Sequence, residues 1–247
     1  MRHVLDTFEK YVAQYDMSDI KIYLKYEHTQ KVAEYCKRIA IWLGLCEEDV
    51  EIAWKIGILH DIGRFEQVKR YGTFKDALSV NHAQFGADLL FKEGLIQEFE
   101  KNEGRYELIE KAIRYHNCYE LPDGLDKRET LFCNIIRDAD KVDIFRVNVE
   151  TGMEAIYNVT TEELKNSSVT PAVLEECLKG RTTPRHLHQT VADDLLGHIA
   201  LWFGLQYPIS RDMVKEQGYI EQLLSFPTEN DNTKYALQLV REVIEGK

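Results

Sequence analysis

The stretch Leu59-His60-Asp61-Ile62-Gly63-Arg64 places a histidine and an aspartate side by side at the end of an apolar segment. Upstream of it, Val50, Ala53 and Gly57 recur every three or four positions, which predicts a helix whose buried face ends at His60. Gly63 is the residue type that commonly ends a helix. We therefore expect His60 and Asp61 to lie at the carboxyl end of a buried helix.

Four more polar residues lie on, or at the end of, the apolar face of a predicted helix: His28, His82, His116 and Asp140. Gly44 predicts the end of the helix that carries His28, and Ser79 is expected to cap the helix that His82 begins. A buried imidazole or carboxylate costs several kcal/mol unless it is paired or bound to a metal. Because helix bundles build metal sites from inward-facing side chains, these residues together with His60 and Asp61 predict a metal centre.

The donor types narrow the choice of metal. Neutral imidazoles and carboxylates suit divalent transition metals such as Fe, Mn, Ni or Zn, and the five cysteines include no CxxC pair that would indicate a structural zinc site. An aspartate beside a histidine can bridge two cations while its neighbour binds one of them. Two cations roughly 3.5–4 Å apart can activate water and hold phosphoryl oxygens in line. We expect one or two divalent ions at His60 and Asp61.

The rest of the chain predicts an all-α fold. Prolines are few, with five in 247 residues, and long patterns of period 3.6 run through the sequence. Residues 1–160 are expected to form the metal-binding helical core. Residues 161–247 are expected to form a C-terminal helical extension packed on that core as one domain, with helical patterns over Val191–Leu205, Asp212–Leu224 and Lys234–Ile244.

Composition restricts the partners. The formal net charge of −11 argues against a surface that coats duplex nucleic acid, because phosphate binding needs clustered Lys and Arg. No apolar run approaches the ~20 residues of a membrane span. The scattered cysteines suit reduced thiols, so we expect a cytoplasmic protein. Its oligomeric state is left open.

The ordered set from His28 to Asp140 resembles the HD-domain superfamily of metal-dependent phosphohydrolases, whose pattern is H…HD…H…H…D. The local strings strengthen the resemblance: Leu59-His60-Asp61-Ile62-Gly63-Arg64, Asn81-His82-Ala83 and Arg137-Asp138-Ala139-Asp140-Lys141-Val142-Asp143. The string HDIGRFEQ, followed by a YGTF-type loop, is similar to a bacterial subgroup of that superfamily. The segment after His116 has no GYP element, so the resemblance does not extend to the cyclic-dinucleotide phosphodiesterases.

The resemblance implies an HD-type helical core and a role for each matching residue. The first metal would be bound by His28, His60, Asp61 and Asp140, and a second site would be completed by His82 and His116, with Asp61 bridging. Hydroxide generated at the metals would attack the phosphorus of a small phosphate ester, expected to be a nucleotide, as in a phosphomonoesterase or phosphodiesterase. Lys141 and Arg64 either bind the phosphate or simply solvate helix ends.

Two other functions remain open on the sequence. The same ligand set can hold two irons that activate oxygen, as in HD-type oxygenases. The protein can also be a non-catalytic module that senses a nucleotide. The C-terminal histidines His186, His188 and His198 are left out of the site, since His198 is expected to pair with Asp194 one turn earlier. Asp143 either orients a ligand or pairs with a residue on the surface.

Overall fold

The computed structural model describes residues 1–151 and 159–246, and these residues form helices, turns and loops without any β-strand. The all-α prediction is therefore confirmed. The chain divides into two compact units, Met1–Asp140 and Lys141–Lys247. This division falls earlier than the boundary near residue 160, and the packing of the C-terminal extension as part of one domain stays a prediction.

Seven α-helices account for most of the first unit, the last of them continuing into the second. They are α1 (Arg2–Val12), α2 (Ile20–Trp42), α3 (Glu47–Leu59), α4 (Ile62–Tyr71), α5 (His82–Phe91), α6 (Tyr106–Tyr115) and α7 (Lys127–Glu150). Short 3₁₀ turns lie between them, at Asp76–Leu78, Leu95–Glu98 and Glu103–Arg105.

The carboxyl ends of two helices follow the predicted signals. Helix α2 begins after Asp19, whose side chain accepts a hydrogen bond from the backbone N–H of Lys21. It ends before Gly44, which has a φ of 70°. A left-handed residue just beyond the helix is favourable only for glycine. Helix α3 ends at Leu59, so His60 and Asp61 stand at its carboxyl end as expected.

Two predicted helix signals are wrong. The cap of α5 is Asn81, whose side chain accepts hydrogen bonds from the N–H groups of Ala83 and Gln84, whereas the hydroxyl of Ser79 donates to the carbonyl of Lys75 in the preceding loop. Gly63 lies inside α4 and ends no helix. Its role is in packing, as described next.

Two glycines let the helices of the first unit approach closely. A Cβ on Gly57 of α3 would lie 2.5 Å from the Cα of Ala33 in α2. A Cβ on Gly63 of α4 would lie 2.7 Å from the backbone N of Gly86 in α5. Both distances are impossible for real atoms, so only glycine allows these crossings. The crossings bring together the helices that carry the predicted ligands.

The second unit consists of the end of α7 and six further helices within its described residues. These are α8 (Thr161–Asn166), α9 (Pro171–Leu178), α10 (Val191–Ile199), α11 (Pro208–Gln217), α12 (Tyr219–Leu224) and α13 (Asp231–Glu245). The pattern over Asp212–Leu224, predicted as one helix, is divided at Gly218, which has a φ of 72°. The pattern that begins at Val191 continues past α10 as a 3₁₀ turn, Ala200–Gly204.

Among the helices of the described residues, none combines the length and the apolar character that crossing a membrane requires.

Candidate metal centre

Five of the six predicted ligands come together in the interior of the first unit. They form two groups that share one residue: His28, His60 and Asp61, and Asp61, His82 and His116. Within each group the ligand atoms lie within 4.8 Å of one another, and all five residues are buried. They arrive from α2, from the junction of α3 and α4, from the start of α5 and from the end of α6.

The carboxylate of Asp61 lies between two pairs of histidines. Its Oδ2 is 3.7 Å from Nε2 of His28 and 3.6 Å from Nε2 of His60. Its Oδ1 is 3.5 Å from Nε2 of His82 and 3.8 Å from Nε2 of His116. Each oxygen thus faces a different pair, which is the arrangement that a bridging carboxylate needs.

The sixth predicted ligand, Asp140 of α7, lies on one side of this arrangement. Its Oδ1 is 3.1 Å from Nε2 of His28 and 3.9 Å from Nε2 of His60. Its side chain is 18% exposed, whereas that of Asp61 is 3% exposed. Asp140 therefore joins the His28–His60 side, as the resemblance implied.

The backbone fixes the orientation of two rings. Nδ1 of His60 lies 2.7 Å from the carbonyl oxygen of Gly57, and Nδ1 of His116 lies 2.7 Å from that of Ile113. A carbonyl oxygen only accepts, so each Nδ1 donates its proton there. In the neutral ring this leaves Nε2 with a lone pair that points into the cluster.

His82 is oriented by a carboxylate instead. Its Nδ1 lies 2.6 Å from Oδ2 of Asp76, which accepts the proton. Its Nε2 lies 3.1 Å from Nε2 of His116. With both Nδ1 atoms protonated, two lone pairs face each other at this distance, which is repulsive unless a cation or a proton lies beside them.

Burial and charge keep these groups in the protonation states of metal ligands. Burial lowers the pKa of His82 and of His116 to about 4, and it also lowers the pKa of His60. Burial alone would raise the pKa of Asp61, but Lys25 and the neighbouring histidines hold it well below its usual value. The pKa of Asp140 is lowered against burial, mainly by His28. Neutral imidazoles and ionised carboxylates are the forms that bind metals.

The cluster fits a divalent transition metal. Nε2 of His60 and Oδ1 of Asp61 are buried and accept no hydrogen bond within the part of the chain that the structure describes. Buried polar atoms are normally satisfied, so such orphans call for an explanation. A nitrogen and oxygen donor set suits Fe, Mn, Ni or Zn, and a cation beside Asp61 would satisfy both atoms.

Sequence reasoning missed Lys25. Its Nζ lies 2.7 Å from Oδ2 of Asp61, and it also lies 5.5 Å from the centre of the Phe74 ring. Lys25 stands three residues before His28, about one helical turn, so both residues share a face of α2. That spacing was the available signal.

The two predicted phosphate-binding residues have different surroundings. Arg64 donates from Nη1 to the side chains of Gln67 and Asp76 and to the carbonyl of Phe74, and its Nε lies 3.7 Å from Oδ1 of Asp61. Lys141 follows Asp140 in α7 but belongs to the second unit. There its Cε would lie 3.2 Å from a Cβ on Gly204. Phosphate binding by either residue stays a prediction.

The C-terminal histidines and Asp143 have different surroundings. Asp194 accepts a hydrogen bond of 2.8 Å from Nδ1 of His188, and its expected pairing with His198 stays a prediction. His186 is exposed. Asp143 makes a two-pronged ion pair with Arg146 three residues later, but this pair is buried rather than on the surface.

The first unit is therefore a helical bundle with a candidate dinuclear metal centre, in which one aspartate is shared by two groups of histidines. Residues 26–144 match the family model of the HD domain, a span that contains all six predicted ligands. The match supports assigning this segment to the HD-domain superfamily. Members of that superfamily generally are phosphohydrolases and bind divalent metals. Neither the curated proteins nor the solved structures gave a match. The narrower HDIGRFEQ subgroup stays a prediction.

Proposed function

We propose that the protein is a metal-dependent phosphohydrolase that acts on a small phosphate ester, a nucleotide being the substrate we favour. One observation carries the proposal: the two oxygens of Asp61 face separate histidine pairs, at 3.5–3.8 Å. A carboxylate placed in this way can hold two cations side by side, and a pair of cations is suited to phosphoryl transfer.

The residues divide into two ligand sets. The first cation would be held by His28, His60, Asp61 and Asp140. The second would be held by Asp61, His82 and His116. When bound, the metals would supply Lewis acidity toward the phosphoryl oxygens and activate water for attack on phosphorus.

Two cationic side chains favour an anionic substrate at this place. Lys25 and Arg64 both lie against the Phe74 ring, with Nζ and Cζ at 5.5 and 5.6 Å from its centre. The side chain of Lys25 is 20% exposed, and its ammonium binds Asp61. In a protein of net charge −11, two bound cations beside Lys25 and Arg64 would outweigh the carboxylates of Asp61, Asp76 and Asp140, and would attract a phosphate dianion rather than a neutral substrate. Lys25 can then turn from Asp61 to a phosphoryl oxygen.

The test is turnover by protein reconstituted anaerobically with Mn²⁺, Fe²⁺, Ni²⁺ or Zn²⁺. Substrates are p-nitrophenyl phosphate, bis-p-nitrophenyl phosphate and a panel of nucleotides. We expect release of phosphate or nucleoside monophosphate, its loss on chelation, and transfer of label from ¹⁸O-water to the phosphate. Failure of every metal with every ester would refute the proposal. Oxygen consumption with transfer of label from ¹⁸O₂ to an oxidised carbon product would show the di-iron oxygenase instead.

A matched pair of lysines tests the role of Lys25. Lys25→Ala should keep the metals and lower kcat by ~10²–10³-fold, the usual cost of removing a donor that stabilises charge. Lys21, one turn earlier on the same helix, is exposed and donates to the carbonyl of Gly72, so Lys21→Ala should leave kcat unchanged. The same assay on Lys141→Ala tests the sequence prediction for that residue. Equal turnover by the Lys25 and Lys21 variants would remove Lys25 from the site.

A further inference from the structure

Asp76 lies outside the predicted ligand set, yet it binds one of its members directly. It begins the 3₁₀ turn Asp76–Leu78 in the loop between α4 and α5. Its Oδ2 accepts the Nδ1 proton of His82 at 2.6 Å, and its Oδ1 accepts hydrogen bonds from Arg64 at 2.8 Å and from Gln67 at 3.0 Å. All the donors come from elements that carry the candidate metal centre.

Two side chains of α4 hold this loop in place. The buried Gln67 donates to Asp76, to the hydroxyl of Ser79 at 2.8 Å and to the carbonyl of Val80 at 3.0 Å. Arg64 donates to the carbonyl of Phe74 at 2.7 Å. Arg64 and Gln67 follow Asp61, the residue that precedes α4, by one and two turns. The position of Asp76 is thereby tied to the helix that starts at the bridging carboxylate.

His82 needs such a partner because of its place in the helix. His60 and His116 stand at the carboxyl ends of their helices and donate to carbonyls three residues earlier in the same helix. His82 is the first residue of α5, and three residues before it the chain is still loop. Its ring therefore has no helical carbonyl to orient it, and Asp76 takes that role.

We infer that Asp76 is the positioning residue of the second metal group, formed by Asp61, His82 and His116; this inference rests on the proposed function. The carboxylate keeps the proton on Nδ1 of His82, so that Nε2 faces Oδ1 of Asp61 at 3.5 Å with a free lone pair. A carboxylate behind a histidine ligand also raises the basicity of that ligand. Occupancy of the second group depends on Asp76, whereas occupancy of the first group does not.

The experiment is a Mn²⁺ titration of metal-free protein followed by electron paramagnetic resonance. The wild type should bind about two ions per chain and give the spectrum of an exchange-coupled pair. Asp76→Asn should bind the first ion as before and the second ~10–100-fold more weakly, the usual cost of losing such a partner. Its spectrum at two equivalents should be that of isolated Mn²⁺. The control is Asp88→Asn on α5, which also loses the charge of an ion pair with an arginine, Arg114, and should behave as the wild type.

The outcomes separate the inference from the proposed function. An Asp76→Asn protein that takes up two coupled ions with wild-type affinity overturns the inference alone. A wild type that binds no ion with any metal overturns the proposed function and the inference with it. Should Asp76→Asn fail to fold, ¹⁵N spectra of the metal-free wild type decide, with the His82 signals assigned by comparison with His82→Gln. A ring protonated on Nδ1 supports the inference, and one protonated on Nε2 refutes it.

Discussion

The two units hold different sets of histidines: the predicted ligands His28, His60, His82 and His116 in the first, and His186, His188 and His198 in the second. His188 and His60 show how the two sets differ in what their ring nitrogens bind. Both nitrogens of His188 in the second unit have partners, the hydroxyl of Thr183 at 2.9 Å and the carboxylate of Asp194 at 2.8 Å. In the first unit, Nδ1 of His60 is bound by the carbonyl of Gly57, while its buried Nε2 has no hydrogen-bond partner among the described residues. His188 thus connects a loop to a helix, whereas Nε2 of His60 can bind a cation.

The carboxylates show the same difference. Asp194 accepts a hydrogen bond from His188, whereas Asp61 lies between two pairs of histidines. A ring whose Nδ1 is held by an acceptor while its Nε2 is directed toward a shared carboxylate, as in His60, His82 and His116, is the arrangement expected of a metal-ligating histidine.

The largest effect is expected from the two aspartates. Asp61→Ala should reduce the metal content from about two ions to near none, because the proposed ligand sets both include its carboxylate, and turnover should fall by at least ~10²-fold. Asp194→Ala should leave both quantities unchanged. Elemental analysis of the reconstituted proteins measures the metals. Full occupancy in Asp61→Ala would show that the carboxylate does not bridge.

A smaller effect on metal content is expected from one histidine of each unit, His116 and His188. His116→Ala should lose about one ion per chain, since only the second metal group includes it. His188→Ala should keep the metals and lose roughly 1 kcal/mol of unfolding free energy, from its lost hydrogen bonds. Metal analysis and urea unfolding distinguish the two variants. A metal deficit in His188→Ala would contradict the expectation that His188 has no part in the metal centre.

The unfolding free energy should depend on pH through one histidine in each unit, His116 and His198. Burial lowers the pKa of His116 and of His198 from 6.5 to about 4. Between pH 6.5 and pH 4, these histidines bind protons in the unfolded chain but not in the folded metal-free protein. The contribution of each to the unfolding free energy is therefore complete above pH 6.5 and is lost as the pH falls toward 4. From pH 7 to pH 5 each such histidine costs at most about 2 kcal/mol.

Substitution by glutamine separates the two contributions. His116→Gln and His198→Gln should each reduce the loss of unfolding free energy between pH 7 and pH 5, measured by urea titration without metal. Added Mn²⁺ should raise the melting temperature of His198→Gln as much as that of the wild type, and that of His116→Gln less. A pH slope equal to that of the wild type in both variants would contradict the assigned burial effect.

The smallest effect is expected at His186. This residue is exposed, so His186→Ala should change the unfolding free energy by less than ~0.5 kcal/mol and the metal content not at all. A measured loss of metal would contradict a metal centre formed by residues of the first unit alone.

Local patterns in the sequence predicted the helices and the residues that converge. Polar residues at the ends of apolar helix faces, such as His60 and His116, can be recognised because the period of 3.6 shows which face is buried. The order of these residues supplied the resemblance to the HD superfamily, which the match to residues 26–144 supports. Metal binding by the six residues stays a prediction.

Only the tertiary structure showed how the pieces meet. The sequence predicted Ser79 as a helix cap and Gly63 as a helix end, and both were wrong because contacts from α4 and α5 determine what these residues do. Asp76 lies in a loop without periodicity, and nothing local relates it to His82. Which oxygen of Asp61 faces which histidines, and that Lys25 reaches that carboxylate, depend on how helices distant in sequence cross. Periodicity gives the buried face of each helix, but the crossings are determined by packing among all of them.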